Sequence, residues 1–347
     1  MSRKAYAAVG ATLGLCLFLS WNSLGGARST FSIFKSHIHA KSKDVLVILK
    51  NQADVSDATK FKLKKDKTRY VFETLRTHAA KTQVHLLEFL NQKHAAYRPY
   101  FISNVIWVGN VTPELVNELS QQPEVARVVA GPSLAPGLYP GGVQPIEFME
   151  PSIALNGLHR NDNDNLIAVG APQVWSEFGV KGKGIVVAAQ DTGIDWLHPA
   201  LIEHYRGYTS QSSGARNVNH DYNWHDSVHR QLNDRPSKCG YDTTSPCDDD
   251  AHGTHTMGTI VGDDGLKNHI GMAPEAQWIG CRSLDGGVGS PASYLECFEF
   301  FLAPWPQGQN SFADGNPDLS PEIINNSWGC ATDDGCDPTT LLDVVNN

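Results

Sequence analysis

The sequence lacks an excess of positive charge. Its 28 Lys and Arg residues are outnumbered by 37 Asp and Glu residues, and the formal net charge is −9. A nucleic-acid-binding surface needs such a basic footprint, so nucleic acid is excluded as a partner. With 41% hydrophobic and 19% charged residues, the chain also lacks the composition of a disordered protein. Its length predicts a globular protein of two ordinary domains.

Paired C-x-x-C knuckles are absent as well, which argues against a structural zinc site. One cysteine, Cys16, lies near the N-terminus, and six lie in the second half of the chain: Cys239, Cys247, Cys281, Cys297, Cys330 and Cys336. An even number of cysteines in an exported chain indicates disulfides. Short loops favour pairing Cys239 with Cys247 and Cys330 with Cys336, which leaves Cys281 for Cys297, although other pairings remain open.

The N-terminal apolar run is short for a bilayer span. Arg3 and Lys4 precede a mostly apolar stretch over residues 5–19, and small or polar residues continue to residue 29. This order is typical of a secretory signal peptide over residues 1–29, with cleavage near Ala27. An uncleaved membrane anchor is the alternative. We therefore predict a secreted, extracellular protein without a stable membrane span in the mature chain.

Residues 44–130 predict a small α+β domain. Strands are expected over residues 44–49, 101–108 and 125–129, with a further one near Tyr97, and Thr112-Pro113 starts a helix. A single long helix is predicted from an apolar stripe at helical spacing: Phe72, Leu75, Ala79, Leu86 and Leu90. We expect helices to cover one face of a small antiparallel sheet.

Residues 131–165 are rich in proline and glycine and predict an exposed linker with a processing site. From residue 166 onward, apolar strands over residues 184–190, 278–281 and 322–325 alternate with helices, which favours a doubly wound, mostly parallel α/β sheet. One helix follows His252. Another begins at Ser290-Pro291, and its Tyr294, Leu295 and Phe298 are expected to face the sheet. Residues 211–250, with Trp224, are expected to form a surface loop near a cleft.

Two short motifs carry the chemistry. Asp191-Thr192-Gly193-Ile194-Asp195 ends the first apolar strand of the α/β part, and His252-Gly253-Thr254-His255 opens a helix. A buried carboxylate that orients an imidazole makes up two parts of an acid–histidine–nucleophile relay. Two further motifs follow in the chain, Gly271-Met272-Ala273-Pro274-Glu275-Ala276 and Asn326-Ser327-Trp328-Gly329.

In this order, the four motifs resemble those of the subtilisin-like serine protease family, and most closely its bacterial, exported, bacillopeptidase-like members. The resemblance implies that residues 166–347 are the N-terminal part of the catalytic domain and that Asp191 and His252 are catalytic. It also implies that His255, Asp195 and His198 support the fold.

The order and position of residues 44–130 resemble the inhibitor-type propeptide of the same family. The most recognisable local match is Gln122-Pro123-Glu124-Val125, which leads into the last strand. The resemblance implies that this domain chaperones the protease and acts as its own intramolecular inhibitor. An unrelated small α+β domain is the alternative.

Substrate-binding residues follow from the resemblance too. Ser327, Trp328 and Gly329 resemble the edge segment that pairs with a protein or peptide substrate, and Gly287 and Gly289 resemble the opposite wall. A simple turn is the alternative for the glycines, and core packing is the alternative for Trp328.

The chemistry of the family requires no cofactor, but calcium is common in it. The runs Asp248-Asp249-Asp250 and Asp263-Asp264 offer oxygen ligands for a structural calcium ion. Plain solvated acidic runs are the alternative.

Two expected parts are missing from the 347 residues. The family's serine, in a Gly-Thr-Ser-Met-Ala-type motif, and its oxyanion-hole asparagine, in an Ala-Gly-Asn-type motif, do not follow Gly329. Without the serine there is no covalent pathway, and without the oxyanion donor the transition state loses stabilisation. We therefore expect a C-terminally truncated, inactive part of a secreted serine endopeptidase precursor.

Two other functions stay open at this point. The chain could be a non-enzymatic, propeptide-like module that inhibits or chaperones a subtilisin-type protease. It could also be an unrelated α/β hydrolase or binding protein.

Overall fold

A computed structural model describes residues 44–131, 164–210, 216–266, 269–329, 341, 342 and 344. The predicted signal peptide, nearly all of the predicted linker and the pairing of Cys330 with Cys336 lie outside these residues. The strands are β1 (Val45–Leu49), β2 (Ala96–Tyr100), β3 (Val105–Gly109), β4 (Val125–Ala130), β5 (Val186–Asp191), β6 (Tyr208–Ser210), β7 (Arg216–Val218), β8 (Trp224–Asp226), β9 (Gln277–Arg282), β10 (Leu284–Asp285), β11 (Val288–Gly289) and β12 (Ile323–Asn325). The helices are α1 (Lys64–Thr82), α2 (Val84–Gln92), α3 (Pro113–Ser120), α4 (Asp164–Ala168), α5 (Ala171–Phe178), α6 (His252–Val261), α7 (Pro291–Leu302) and α8 (Ser311–Asp314).

Residues 44–131, here called the N-terminal module, contain a sheet of order β2-β3-β1-β4 in which every neighbouring pair is antiparallel. Alternate residues of a strand point to opposite faces. Leu46 and Ile48 of β1 pack with α1, whereas Val45, Val47 and Leu49 pack with α2 and α3. The predicted α+β region is confirmed, but the prediction that helices cover only one face is wrong, because both faces of β1 are apolar and buried.

The single long helix predicted from the apolar stripe is two helices, α1 and α2, which are separated at Gln83. The Gln83 side chain is buried and donates hydrogen bonds to the Tyr100 carbonyl at 2.9 Å and to Asn104 Oδ1 at 2.7 Å. Asn104 ends a turn over residues 101–104, so the strand predicted over residues 101–108 begins only at Val105. The helix is interrupted where the Gln83 side chain binds the turn between β2 and β3. The spacing of the apolar residues does not indicate this interruption.

The α/β part contains a four-stranded sheet of order β12-β5-β9-β8, in which all neighbouring strands are parallel. Val187 and Ala189 of β5 pack with α6 on one face, and Ala188 packs with α7 on the other. Helices on both faces of a parallel sheet confirm the predicted doubly wound α/β class. The prediction of a surface loop over residues 211–250 is wrong in part, because the fully buried Trp224 begins the edge strand β8.

Helix α7 is buried by two different partners. Phe300 and Phe301 pack against the parallel sheet, while Leu295 and Phe298 pack with the N-terminal module. The expectation that Tyr294, Leu295 and Phe298 face the sheet is therefore wrong, since Tyr294 packs beside Leu284 instead. A helix that is apolar on more than one side is typical of an element covered all round.

Two of the predicted disulfides are present, Cys239–Cys247 and Cys281–Cys297. The second joins β9 to α7 and so ties the helix to the sheet. None of the described helices is both long and apolar enough to cross a membrane.

We expect Gln83→Ala to lower the free energy of unfolding by about 1–3 kcal/mol, because two buried acceptors lose their donor. Urea-induced unfolding followed by circular dichroism measures the change. Gln92→Ala, at an exposed position at the end of α2, is the matched control and should change the free energy by no more than about 0.5 kcal/mol. Equal effects of the two substitutions would contradict the role given to Gln83.

Candidate active site

The acid of the predicted relay, Asp191, is the last residue of β5. Its side chain is 1% exposed. It accepts hydrogen bonds from His252 Nδ1 at 2.7 Å, from the Thr192 backbone N–H at 2.7 Å and from Thr256 Oγ1 at 3.3 Å. Asp191 and the first residue of α6 thus meet beyond the carboxyl end of the sheet, where open parallel sheets bind ligands.

Two glycines let the acid and histidine segments approach each other. A Cβ on Gly193, whose φ is +110°, would overlap the Cys247 carbonyl oxygen, and a Cβ on Gly253 would overlap the Gly193 carbonyl oxygen. Only glycine fits such close backbone contacts. The position of His252 relative to Asp191 is therefore fixed by main-chain packing as well as by the side-chain hydrogen bond.

The imidazole of His252 is partly exposed, with 27% of the side chain accessible. The hydrogen bond to Asp191 raises the pKa of His252 above its ordinary value, and the negative charges of Asp191, Asp250 and Asp248 add to this against the opposing effect of burial. Among the described residues, none forms a hydrogen bond with its Nε2. That nitrogen is therefore open to exchange a proton with a neighbouring group.

Gly287 lies in the two-residue turn between β10 and β11. Gly286 and Gly287 have φ values of +52° and +87°, as a tight hairpin turn requires. A Cβ on Gly287 would lie 4.0 Å from Asp250 Oδ2, so this hairpin stands beside the segment that carries His252. The backbone has the conformation of the turn alternative, and a role of Gly287 in substrate binding stays a prediction.

Trp328 stacks on Tyr294, with the ring centroids 3.8 Å apart and 3° between the ring planes. A Cβ on Gly289 would overlap the Tyr294 hydroxyl. Trp328 and Gly289, predicted on opposite walls, thus both contact one buried tyrosine. Ser327 accepts a hydrogen bond from Asn325 Nδ2 at 2.9 Å within its own segment, and Gly329 follows Trp328 directly.

A fully buried arginine, Arg282, holds the hairpin in place. Its guanidinium pairs with Asp226, Asp249 and Asp285 at N–O distances of 3.2, 2.6 and 3.4 Å. Asp249 also accepts the backbone N–H of Gly286 at 3.0 Å. Burial raises the pKa of Asp226 and of Asp285 in spite of the nearby arginine. The cluster couples the residues just before His252 to the turn of the hairpin.

Sequence reasoning treated Asp248 only as a candidate calcium ligand and missed its place in the site. Asp248 accepts hydrogen bonds from Thr192 Oγ1 at 2.8 Å and from the Thr254 backbone N–H at 2.9 Å. An aspartate shortly before a helix is a capping signal that could have indicated this. No group of three or more His, Cys, Asp or Glu side chains within the described ranges is arranged to hold a metal ion, and calcium stays a prediction.

Comparison with known proteins gives a family match over the α/β part. Residues 182–346 match the model of the subtilase family, Peptidase_S8. The chain is 34% identical over 292 residues to Bacillopeptidase F of Bacillus subtilis (strain 168), which covers 80% of the chain and 18% of that protein. It is 30% identical over 171 residues to the minor extracellular protease Vpr of the same organism, covering 49% of the chain and 18% of that protein.

The chain thus spans less than a fifth of the length of these two relatives. A solved structure of the epidermin leader peptide processing serine protease from Staphylococcus aureus aligns at a TM-score of 0.48 and 12% identity, covering 82% of this chain and 49% of that one.

The raised pKa of His252 has a measurable consequence for stability. A histidine whose pKa is higher in the folded than in the unfolded protein stabilises the fold below its unfolded pKa, and this contribution is lost as the pH rises through the folded pKa. We expect NMR titration of the ring protons to give a pKa above 6.5 for His252, and a lower pKa in Asp191→Asn. An unchanged pKa in that variant would contradict the pairing.

Proposed function

Because residues 182–346 belong to the subtilase family, we propose that they supply the acid and the histidine of a secreted serine endopeptidase precursor. The observation that carries this proposal is the 2.7 Å hydrogen bond between the buried Asp191 and His252 Nδ1. The Nε2 atom on the other side of the ring remains available for the nucleophile.

In the proposed reaction, His252 removes the proton of a serine hydroxyl through Nε2 and later gives it to the leaving amine. Asp191 holds the Nδ1–H tautomer and stabilises the imidazolium that forms. The serine and the oxyanion asparagine are not in a matching motif within these 347 residues, and we propose that they lie outside them. The reaction needs no cofactor.

The proposed substrate is an extended segment of a protein or peptide. It lies beside Gly287 and Gly289 on one side and beside Ser327, Trp328 and Gly329 on the other, and main-chain hydrogen bonds provide the affinity. The rigid support of the hairpin by Arg282 favours a wall that is formed before the substrate arrives.

Export is supported by two observations. Residues 1–29 have the charge and apolar pattern of a signal peptide. The Cys239–Cys247 and Cys281–Cys297 disulfides are typical of an oxidising compartment outside the cytosol.

We propose further that the N-terminal module is the propeptide and the intramolecular inhibitor of the peptidase. Its loop after β2 is held by the buried Glu299 of α7, which accepts hydrogen bonds from the backbone N–H groups of Phe101 and Ile102. Arg98 of β2 pairs with Glu296, one turn earlier on α7, at 2.8 Å.

The charge on Glu296 belongs to this contact. Burial disfavours its ionised form, but Arg98 and the hydrogen bonds with His225 and His229 outweigh burial and hold the pKa of Glu296 well below its usual range. Burial lowers the pKa of His229, but the hydrogen bond with Glu296, the charge of Glu296 and the hydrogen bond with Asp242 together outweigh burial and raise this pKa to about 9. The module thus contributes a cation that the buried carboxylate requires.

The function is tested in the longest reading frame that contains these 347 residues. Asp191→Asn and His252→Ala are each expected to lower kcat/KM for a casein-derived peptide by at least about 10³-fold, because the general base is removed or held in the wrong tautomer. His255→Ala, one turn further along α6 and in an exposed position, is the control and should retain activity.

Residues 1–347 alone are expected to hydrolyse nothing. Hydrolysis by this segment, or full activity of the complete His252→Ala protein, would refute the proposed roles. If the reading frame contains no serine motif and the segment inhibits a subtilisin-type protease, the non-enzymatic alternative is correct.

The inhibitor role is tested in the protein encoded by the longest reading frame, with a recognition site for a sequence-specific protease inserted into residues 132–163 and cut there. The module should stay bound after cleavage and suppress the peptidase activity of that protein. Arg98→Gln should weaken its retention about tenfold or more, because the buried Glu296 keeps its charge but loses its half-buried cationic partner. Lys81→Gln, exposed on α1, is the control. Equal retention of both variants would contradict the proposed contact, and full activity with the module bound would contradict inhibition.

A further inference from the structure

Asp248 lies four residues before His252, and its carboxylate receives five hydrogen bonds. Oδ1 accepts from Thr192 Oγ1 at 2.8 Å, from the Ala251 N–H at 2.9 Å and from the Asp250 N–H at 3.1 Å. Oδ2 accepts from the backbone N–H and the hydroxyl of Thr254 at 2.9 and 2.5 Å. Only a carboxylate offers two acceptor oxygens to these donors, since an amide would turn an NH₂ group toward one set of them.

These contacts close a ring around the acid–histidine pair. Thr192 donates its hydroxyl proton to Asp248 and accepts the Gly253 backbone N–H at 2.9 Å. Thr192 directly follows Asp191, and Gly253 directly follows His252. The backbone next to Asp191 and the backbone next to His252 are therefore both held by the hydrogen bond between the Thr192 hydroxyl and the Asp248 carboxylate.

The start of α6 also depends on this carboxylate. Ala251 has a φ of +68°, a left-handed conformation that costs free energy for a residue other than glycine. Its N–H donates to Asp248, as do the N–H groups of Asp250, just before it, and of Thr254, in the first turn of α6. The hydrogen bonds of Asp248 thus compensate for a backbone that would otherwise relax and turn His252 away.

We propose that Asp248 is a positioning residue, whose carboxylate locks Thr192 to the first turn of α6 and so keeps His252 Nδ1 on Asp191. Its importance for catalysis rests on the proposed function, but the lock itself does not. The acidic run is then divided by role: Asp248 aligns the pair, Asp249 neutralises Arg282, and Asp250 lies exposed beside His252.

The neighbouring Asp250 supplies a control that separates charge from positioning. Both carboxylates raise the pKa of His252 through their negative charge, but the side chain of Asp250 does not bind the start of α6. Asp250→Asn should therefore lower the pKa of His252 and leave the hydrogen bond to Asp191 intact. Asp248→Asn should lower the pKa and also loosen that hydrogen bond.

The experiment uses residues 1–347 with ¹⁵N-labelled histidine and follows the hydrogen-bonded Nδ1–H proton of His252 by NMR. Asp248→Asn should increase its exchange with water by at least about tenfold, as loss of a charge-assisted network predicts. Thr192→Val should have the same effect, whereas Thr192→Ser, which keeps the hydroxyl, should restore protection. Thermal unfolding of each variant checks that it is folded.

Protection in Asp248→Asn and Thr192→Val equal to that in Asp250→Asn would overturn the inference and leave the proposed function untouched. If Asp248→Asn and Thr192→Val lose protection but the unmutated complete protein has no peptidase activity, the proposed function is refuted and the positioning role of Asp248 stands. In an active complete protein, Asp248→Asn should lower kcat and change KM little, and a change confined to KM would also contradict a positioning role.

Discussion

A carboxylate that is taken out of water has to be paired, because an unpaired buried charge is very costly. Asp191 is such a group, and its partners come from two segments separated by about sixty residues of chain. Strand β5 places the carboxylate at the carboxyl end of the parallel sheet, and the start of helix α6 places the imidazole beside it. Gly193 and Gly253 remove the atoms that would hold the two segments apart. The Cys239–Cys247 disulfide, the run Asp248-Asp249-Asp250 and the β10–β11 hairpin all lie next to the two segments that make this contact.

The parts of the site that lie in short motifs could be predicted from the sequence. The resemblance of the motifs to those of the subtilisin-like family singled out Asp191 and His252, and the rule that strand ends and helix starts converge at one edge of a parallel sheet explains why they meet. Three features could not be predicted in this way. They are the helix break at Gln83, the packing of α7 against the N-terminal module, and the five hydrogen bonds accepted by Asp248. Each depends on a partner far away in the sequence, and a buried glutamine or aspartate looks locally like a surface residue.

The described part of the N-terminal module and the α/β part share a core instead of merely touching. Leu46 and Ile48 of β1, Phe101 and the α7 residue Leu295 belong to one apolar cluster. Two buried carboxylates on α7, Glu296 and Glu299, each receive at least one partner from the module across the same contact. Apolar burial provides the attraction, and the need to pair both buried carboxylates favours the observed position of the module on the helix.

The double coverage of α7 has a consequence for the order in which the chain is made. Ribosomes release the N-terminal module first, and domains can fold as they emerge. The module residues that pack with Leu295 and Phe298 precede α7 in the chain, so they leave the ribosome before α7 does. Removal of the module would expose these two side chains to solvent and add an apolar patch to the surface of the α/β part. Separating the module would therefore change which surfaces the α/β part can contact.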